Sequence, residues 1–202
     1  MKVTLVRHGR STYRAPRLIP GSHYRESLRA YDEAGIRADS RPPTRLVDLA
    51  REAGVVVSSP VRRAIESAHR LVDDGAFETD PLFVEAALPH AFPSALHLPT
   101  GVWAATSRIA WFCGWSPEVE SHAHTRERAR RAAEALRRHG RDHGTVLLVG
   151  HHFMNSFVAT ELRRSGMRSE GRLSGFQTHN WWSVTFVSEP GKLAGSERRG
   201  DR

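Results

Sequence analysis

Cysteine is almost missing from this 202-residue chain: Cys113 stands alone, which excludes an intramolecular disulfide. Lysine is scarce as well. Lys2 and Lys192 are the only two, so the net charge of +8 is carried by arginine. A basic surface can attract nucleic acid or anionic metabolites. Here the arginines are spread along the chain, and their densest group, 126–141, is interleaved with alanines at helical spacing. No helix-turn-helix, zinc or RNA-binding pattern accompanies them, so no nucleic-acid partner is expected. No apolar run approaches the length of a bilayer span. The first residues lack a signal-peptide pattern, because strand-forming residues begin at Val3 and an arginine and a histidine follow at once. The expectation is a cytoplasmic protein with no membrane partner.

What is present is an alternation of short apolar runs and amphipathic segments. Residues 2–6, 55–58 and 145–149 read as strands, the last two fully buried, and 181–187 as a final strand. Residues 44–53, 126–139 and 153–164 have helical periodicity. Ser59-Pro60 looks like the N-cap and first position of a further helix running to residue 72. Residues 82–84 suggest a short strand ending at Glu85. Between 12 and 43 the chain is polar and broken by Pro16, Pro20 and Gly21, with a short helix near 26–34. Glu127–Arg131 and Glu134–Arg138 have the spacing of i,i+4 pairs on an exposed helix face. Such alternation predicts a three-layer α/β/α sandwich with a mainly parallel central sheet. The expected domain covers 1–188, with 89–121 as an insertion over the active site and 189–202 as a disordered tail.

In such a sheet ligands gather at the carboxyl ends of the strands. The loops after Val6, Ser58, Val84 and Val149 would bring Arg7, His8, Arg63, Glu85 and His151 round one pocket. Two arginines and two histidines repel one another unless an anion lies between them, and a tetrahedral phosphate suits that donor set. His122 and His124 form an H-x-H pair without further ligands, so no metal site and no cofactor are expected.

These stretches carry a resemblance. L-V-R-H-G-R-S at 5–11, S-S-P-V-R-R-A-I-E-S-A at 58–68, Glu85, and L-L-V-G-H-H at 147–152 resemble, in order, the histidine phosphatase (phosphoglycerate mutase-like) superfamily. The resemblance implies a metal-independent phosphomonoesterase of the histidine acid phosphatase type, acting on a small phosphorylated metabolite through a phosphohistidine. His8 would be the nucleophile, Arg7, Arg63 and His151 the phosphate ligands, and Glu85 the general acid. Arg63 is preferred to Arg62 by the family's S-P-x-x-R-A spacing. Ser11 stands at a threonine position of the family's phosphate turn. Arg14 replaces the usual asparagine or aspartate, and His152 the usual small residue. Arg14, His152 and Arg62 are therefore candidate substrate contacts. Asp80 and Glu66 are the alternative acids. A phosphoglycerate mutase-type transfer and a non-catalytic phosphate or phosphoprotein binder are the competing functions. The sequence leaves the oligomeric state open, a homodimer included.

Overall fold

The computed structural model describes residues 1–72, 75–92, 94–170 and 180–188. The tail expected at 189–202 lies outside them. The elements run β1 (Lys2–Arg7), β2 (Ile19–Pro20), α1 (Tyr24–Glu33), α2 (Thr44–Arg51), β3 (Val55–Ser58), α3 (Arg62–His69) and β4 (Glu78–Thr79). Then come β5 (His97–Leu98), α4 (Thr100–Phe112), α5 (His122–His143), β6 (Thr145–Gly150), α6 (His152–Arg164), β7 (Arg168–Glu170) and β8 (Ser183–Val187).

The main sheet has the order β4-β3-β6-β1-β8-β7. β1, β3, β4 and β6 are parallel, while β8 and β7 close one side antiparallel. The alternation within each strand builds two cores. Val3 and Leu5, Val57, Val146 and Leu148 face α5 and α6, meeting Ala129, Ala133, Leu136, Val158 and Leu162. Val6, Val56, Leu147 and Val149 face the other way, toward Leu46 and Ala50 of α2 and Ala64 and Ala68 of α3. The result is the α/β/α sandwich that the pattern predicts. A third, smaller cluster joins Ile19, Tyr24 and Trp103, with Phe92 and Leu98 against them.

Four local expectations are corrected. Residues 82–84 are not a strand: the Asp80 carboxylate accepts the Leu82 amide and Pro81 opens a 3-10 turn, Pro81–Phe83. The strand of this region is β4, just upstream. α3 begins at Arg62 rather than Pro60, because Val61 is extended and forms the cap. Trp181 precedes β8 in a turn, at φ 59. On α5, Arg130 takes both carboxylates at 2.6 Å each, Glu127 at i,i+3 spacing and Glu134 at i,i+4, in place of the expected Arg131 and Arg138. α5 itself is longer than its apolar stripe, from the Ser121 cap, whose hydroxyl accepts the His124 amide, to Gly144 at φ 78.

Candidate active site

The parallel strands end flush, with Arg7 beside Gly150 and Ser58 beside Val149. The chain beyond each strand is therefore delivered to one edge. The His8 amide donates to the Gly150 carbonyl at 3.0 Å, and the Ser59 amide to Val149 at 3.0 Å. The Gly9 amide reaches across to Ser67 on α3 at 2.9 Å, and Ser67 donates to the Arg63 carbonyl at 2.6 Å. The helix that carries Arg63 is thus tied to the turn that carries His8.

His8 is 2% exposed. Its Nδ1 lies 2.7 Å from the Gly9 carbonyl. A carbonyl oxygen only accepts, so Nδ1 bears the proton and the Nε2 lone pair is left for chemistry. Burial, then the Arg63 charge and that of Arg7, hold His8 down to a pKa of about 3 against the pull of the Gly9 hydrogen bond. His151 is buried as well, its ring edge-on to His8 with centroids 5.3 Å apart. Its Nε2 is hydrogen-bonded to Ser59 Oγ at 2.9 Å. Burial and the same arginines push it far below its ordinary value.

Arg63 is 1% exposed. Its guanidinium stacks 4.2 Å from the Tyr31 ring and donates to the Tyr31 carbonyl at 3.1 Å and to Asp32 Oδ1 at 3.3 Å, both on α1. The Glu85 side chain lies against the N-terminus of α6. Its Oε1 accepts the Met154 amide at 2.9 Å and the Ala86 amide at 2.9 Å, and Oε2 the Phe153 amide at 3.3 Å. The free N–H groups of a helix start suit a carboxylate.

A cavity of about 750 Å³ opens at this edge, and Arg7, Arg63, Glu85, Arg62 and His152 form part of its wall. The His8 and His151 rings are not in that wall but buried, in the field of Arg7 and Arg63. Arg62 is tied to Glu66 at 2.7 Å. Ser11 is elsewhere: its hydroxyl accepts the Tyr13 amide at 3.1 Å, and its backbone bridges to Ile36. Arg14 is exposed and outside the wall. The wall also contains residues that sequence reasoning did not single out, Arg25, Arg29, Asp32, His90 and Arg108. Arg108 comes from α4, sandwiched between Trp111 at 4.7 Å and Phe153 at 4.0 Å. Only long-range packing places it, although the Arg-x-x-Trp spacing on a helix with apolar residues all round is a faint signal.

Fold and site define an α/β/α protein with a cationic pocket at the carboxyl edge of its parallel strands. The chain belongs to the histidine phosphatase superfamily, branch 1, whose family model matches residues 3–189. No curated protein matches it in sequence. Among solved structures it resembles a mycobacterial glucosyl-3-phosphoglycerate phosphatase, with 19% identity and a TM-score of 0.58 over 91% of this chain and 88% of that one. It also resembles the phosphoserine phosphatase of Entamoeba histolytica, whose structure with 3-phosphoglyceric acid gives 14% identity and a TM-score of 0.56 over 92% and 90%. At these identities the likeness is one of fold.

Proposed function

We propose that the protein is a metal-independent phosphomonoesterase that works through a phosphohistidine on His8. The observation that carries this reading is a buried neutral histidine, its tautomer fixed by Gly9, in the field of two arginines at a cavity that also presents a carboxylate. His8 Nε2 would attack phosphorus as the bond to the leaving oxygen breaks, and Glu85 would give that oxygen its proton. The Nδ1–H bond to Gly9 steadies the positive charge that the ring then carries. Arg7, Arg63 and His151 would hold the phosphoryl oxygens, where charge develops in the transition state. In the second half a water loses its proton to Glu85 and attacks phosphorus. The P–N bond breaks, and His8 is again neutral. Guanidinium groups do the neutralising that a metal ion does in other phosphatases.

The acid is assigned to Glu85 because the alternatives are engaged outside the cavity wall. Asp80 caps the 3-10 turn, and Glu66 binds Arg62 and the Ile36 amide. The cavity is far larger than a phosphate, which suits a small phosphorylated metabolite. The compounds to assay first are phosphoserine and 3-phosphoglycerate, ligands of a structural relative. Chelator-treated protein is expected to release phosphate from one or more of a panel of such esters. Rapid quenching should trap acid-labile, alkali-stable phosphate on the wild type, and His8→Ala should abolish both. Turnover by His8→Ala would overturn the assignment. Transfer to a glycerate acceptor without phosphate release would favour the mutase.

A further inference from the structure

We infer that Arg128 is a positioning residue for Glu85, acting together with Arg108. The inference rests on the reading of Glu85 as proton donor. Beyond the 3-10 turn, residues 84–88 have no helix or strand to hold them. Carbonyls in such a stretch ordinarily turn to water. Here guanidinium groups hold them on either side of Glu85. Arg128 Nη1 donates to the Leu82 carbonyl at 2.9 Å and to Val84 at 2.7 Å. Arg108 Nη2 donates to Ala86 at 2.9 Å, and its Nη1 to Ala87 at 3.4 Å. One arginine belongs to α5 and the other to α4, so two separate helices fix the backbone before and after the acid.

Both clamps are themselves fixed. The Arg128 side chain is 13% exposed, and Glu120 takes its Nη2 at 2.7 Å and its Nε at 3.1 Å. Glu120 in turn accepts the Thr125 hydroxyl at 2.8 Å. Arg108 is 9% exposed, gripped between its two aromatic rings. A planar fork can hold two carbonyls and a carboxylate in one orientation, which a lysine head cannot. The same Arg128 Nη1 lies 3.5 Å from Met154 Sδ, and Met154 supplies the shorter α6 amide bond to Glu85. Arg128 is not in the cavity wall, so it does not touch a bound substrate, and its hydrogen bonds run to the segment that carries Glu85.

An acid that serves two successive steps must keep its place relative to a leaving oxygen and then a water. A misplacement of about 1 Å can cost on the order of 10²-fold in rate. Proton donation matters most for a poor leaving group. The test compares an alkyl phosphate with p-nitrophenyl phosphate in the wild type, Glu85→Gln, Arg128→Met and Arg128→Lys. Arg128→Met is expected to lower kcat on the alkyl ester about 10²-fold and on the aryl ester far less, with KM changed little, reproducing the pattern of Glu85→Gln. Arg128→Lys should recover only part of the loss. In a Glu85→Gln background, Arg128→Met should add little, because both act on one proton transfer. Should Arg128→Met fold poorly, Arg128→Met combined with Glu120→Gln removes the orphaned carboxylate and gives the same ratio. A parallel loss on both esters, or an alkyl-to-aryl ratio equal to the wild type, overturns the inference and leaves the phosphatase reading standing. A wild type that hydrolyses neither ester overturns both.

Discussion

A histidine in water takes up a proton near pH 6.5. His8 refuses it down to about pH 3, with burial as the larger cause and the Arg63 charge as the next. The refusal has a consequence for folding. Between those values the unfolded chain binds a proton at this position and the native chain does not. Stability is therefore fully present above about pH 6.5 and is lost as the pH falls toward the folded value, at about 1.4 kcal/mol per pH unit for each proton. His151 acts in the same direction. Unfolding free energies from urea titrations at pH 7, 6, 5 and 4 should fall steeply for the wild type. They should fall less steeply for His8→Asn, by roughly one proton's slope. Parallel slopes would show that His8 titrates normally. The same residues mark how far a sequence can be read. Arg7, His8, Gly150 and His151 were legible because each sits within two residues of a strand that its own apolar run announces. Arg108 and Arg128 were not. What matters about them is which carbonyls they reach across 20 or more residues, and no local pattern encodes that.

Among the elements, β1, β3, β6 and β8 and the helices α2, α5 and α6 were legible from periodicity, whereas α4 and the short strands β2, β4, β5 and β7 were not. Two failures lie where a polar side chain overrides propensity. Asp80 turns an apolar triplet into a 3-10 turn by accepting the Leu82 amide. Ser59, a good N-cap by type, has its hydroxyl hydrogen-bonded to His151 and accepts the Val61 amide, and α3 starts later. Gly9, in the turn after β1, has no positive φ. Its reason is proximity: an added Cβ would lie 2.7 Å from the Trp181 ring and 2.8 Å from Ser40 Oγ. Ser40 already accepts the Arg10 amide at 2.7 Å and the Trp181 indole at 3.1 Å, so neither neighbour yields freely. Gly9→Ala should destabilise by about 1–3 kcal/mol, as overpacking does, and lower kcat with it. Gly101→Ala, on α4 with nothing within 4 Å, is the matched control and should be neutral or slightly stabilising. Equal unfolding midpoints for the two variants would refute the crowding argument.

The whole molecule carries a net charge of +8 and gathers Arg7, Arg62, Arg63 and Arg108 in the wall of one cavity. Occupying that cavity with an anion should steady the entire fold. At a hundred times its dissociation constant a ligand adds about 2.7 kcal/mol, which for a chain of this size raises Tm by roughly 5–10 °C. Inorganic phosphate or vanadate should produce that shift. Chloride at equal ionic strength should not, and Arg63→Ala should abolish it. A shift that follows ionic strength alone would mean general screening. β1, which leads to His8, owes its position to strands far along the chain. It pairs with β6 on one side and with β8 on the other, and the Arg7 amide donates to the Trp182 carbonyl at 2.7 Å. During synthesis at 5–20 residues per second, residue 8 therefore waits roughly 10–35 s for residue 187 to be made. A nascent chain halted before residue 181 should bind no phosphate and release none, so the ribosome delivers this activity all at once rather than by degrees.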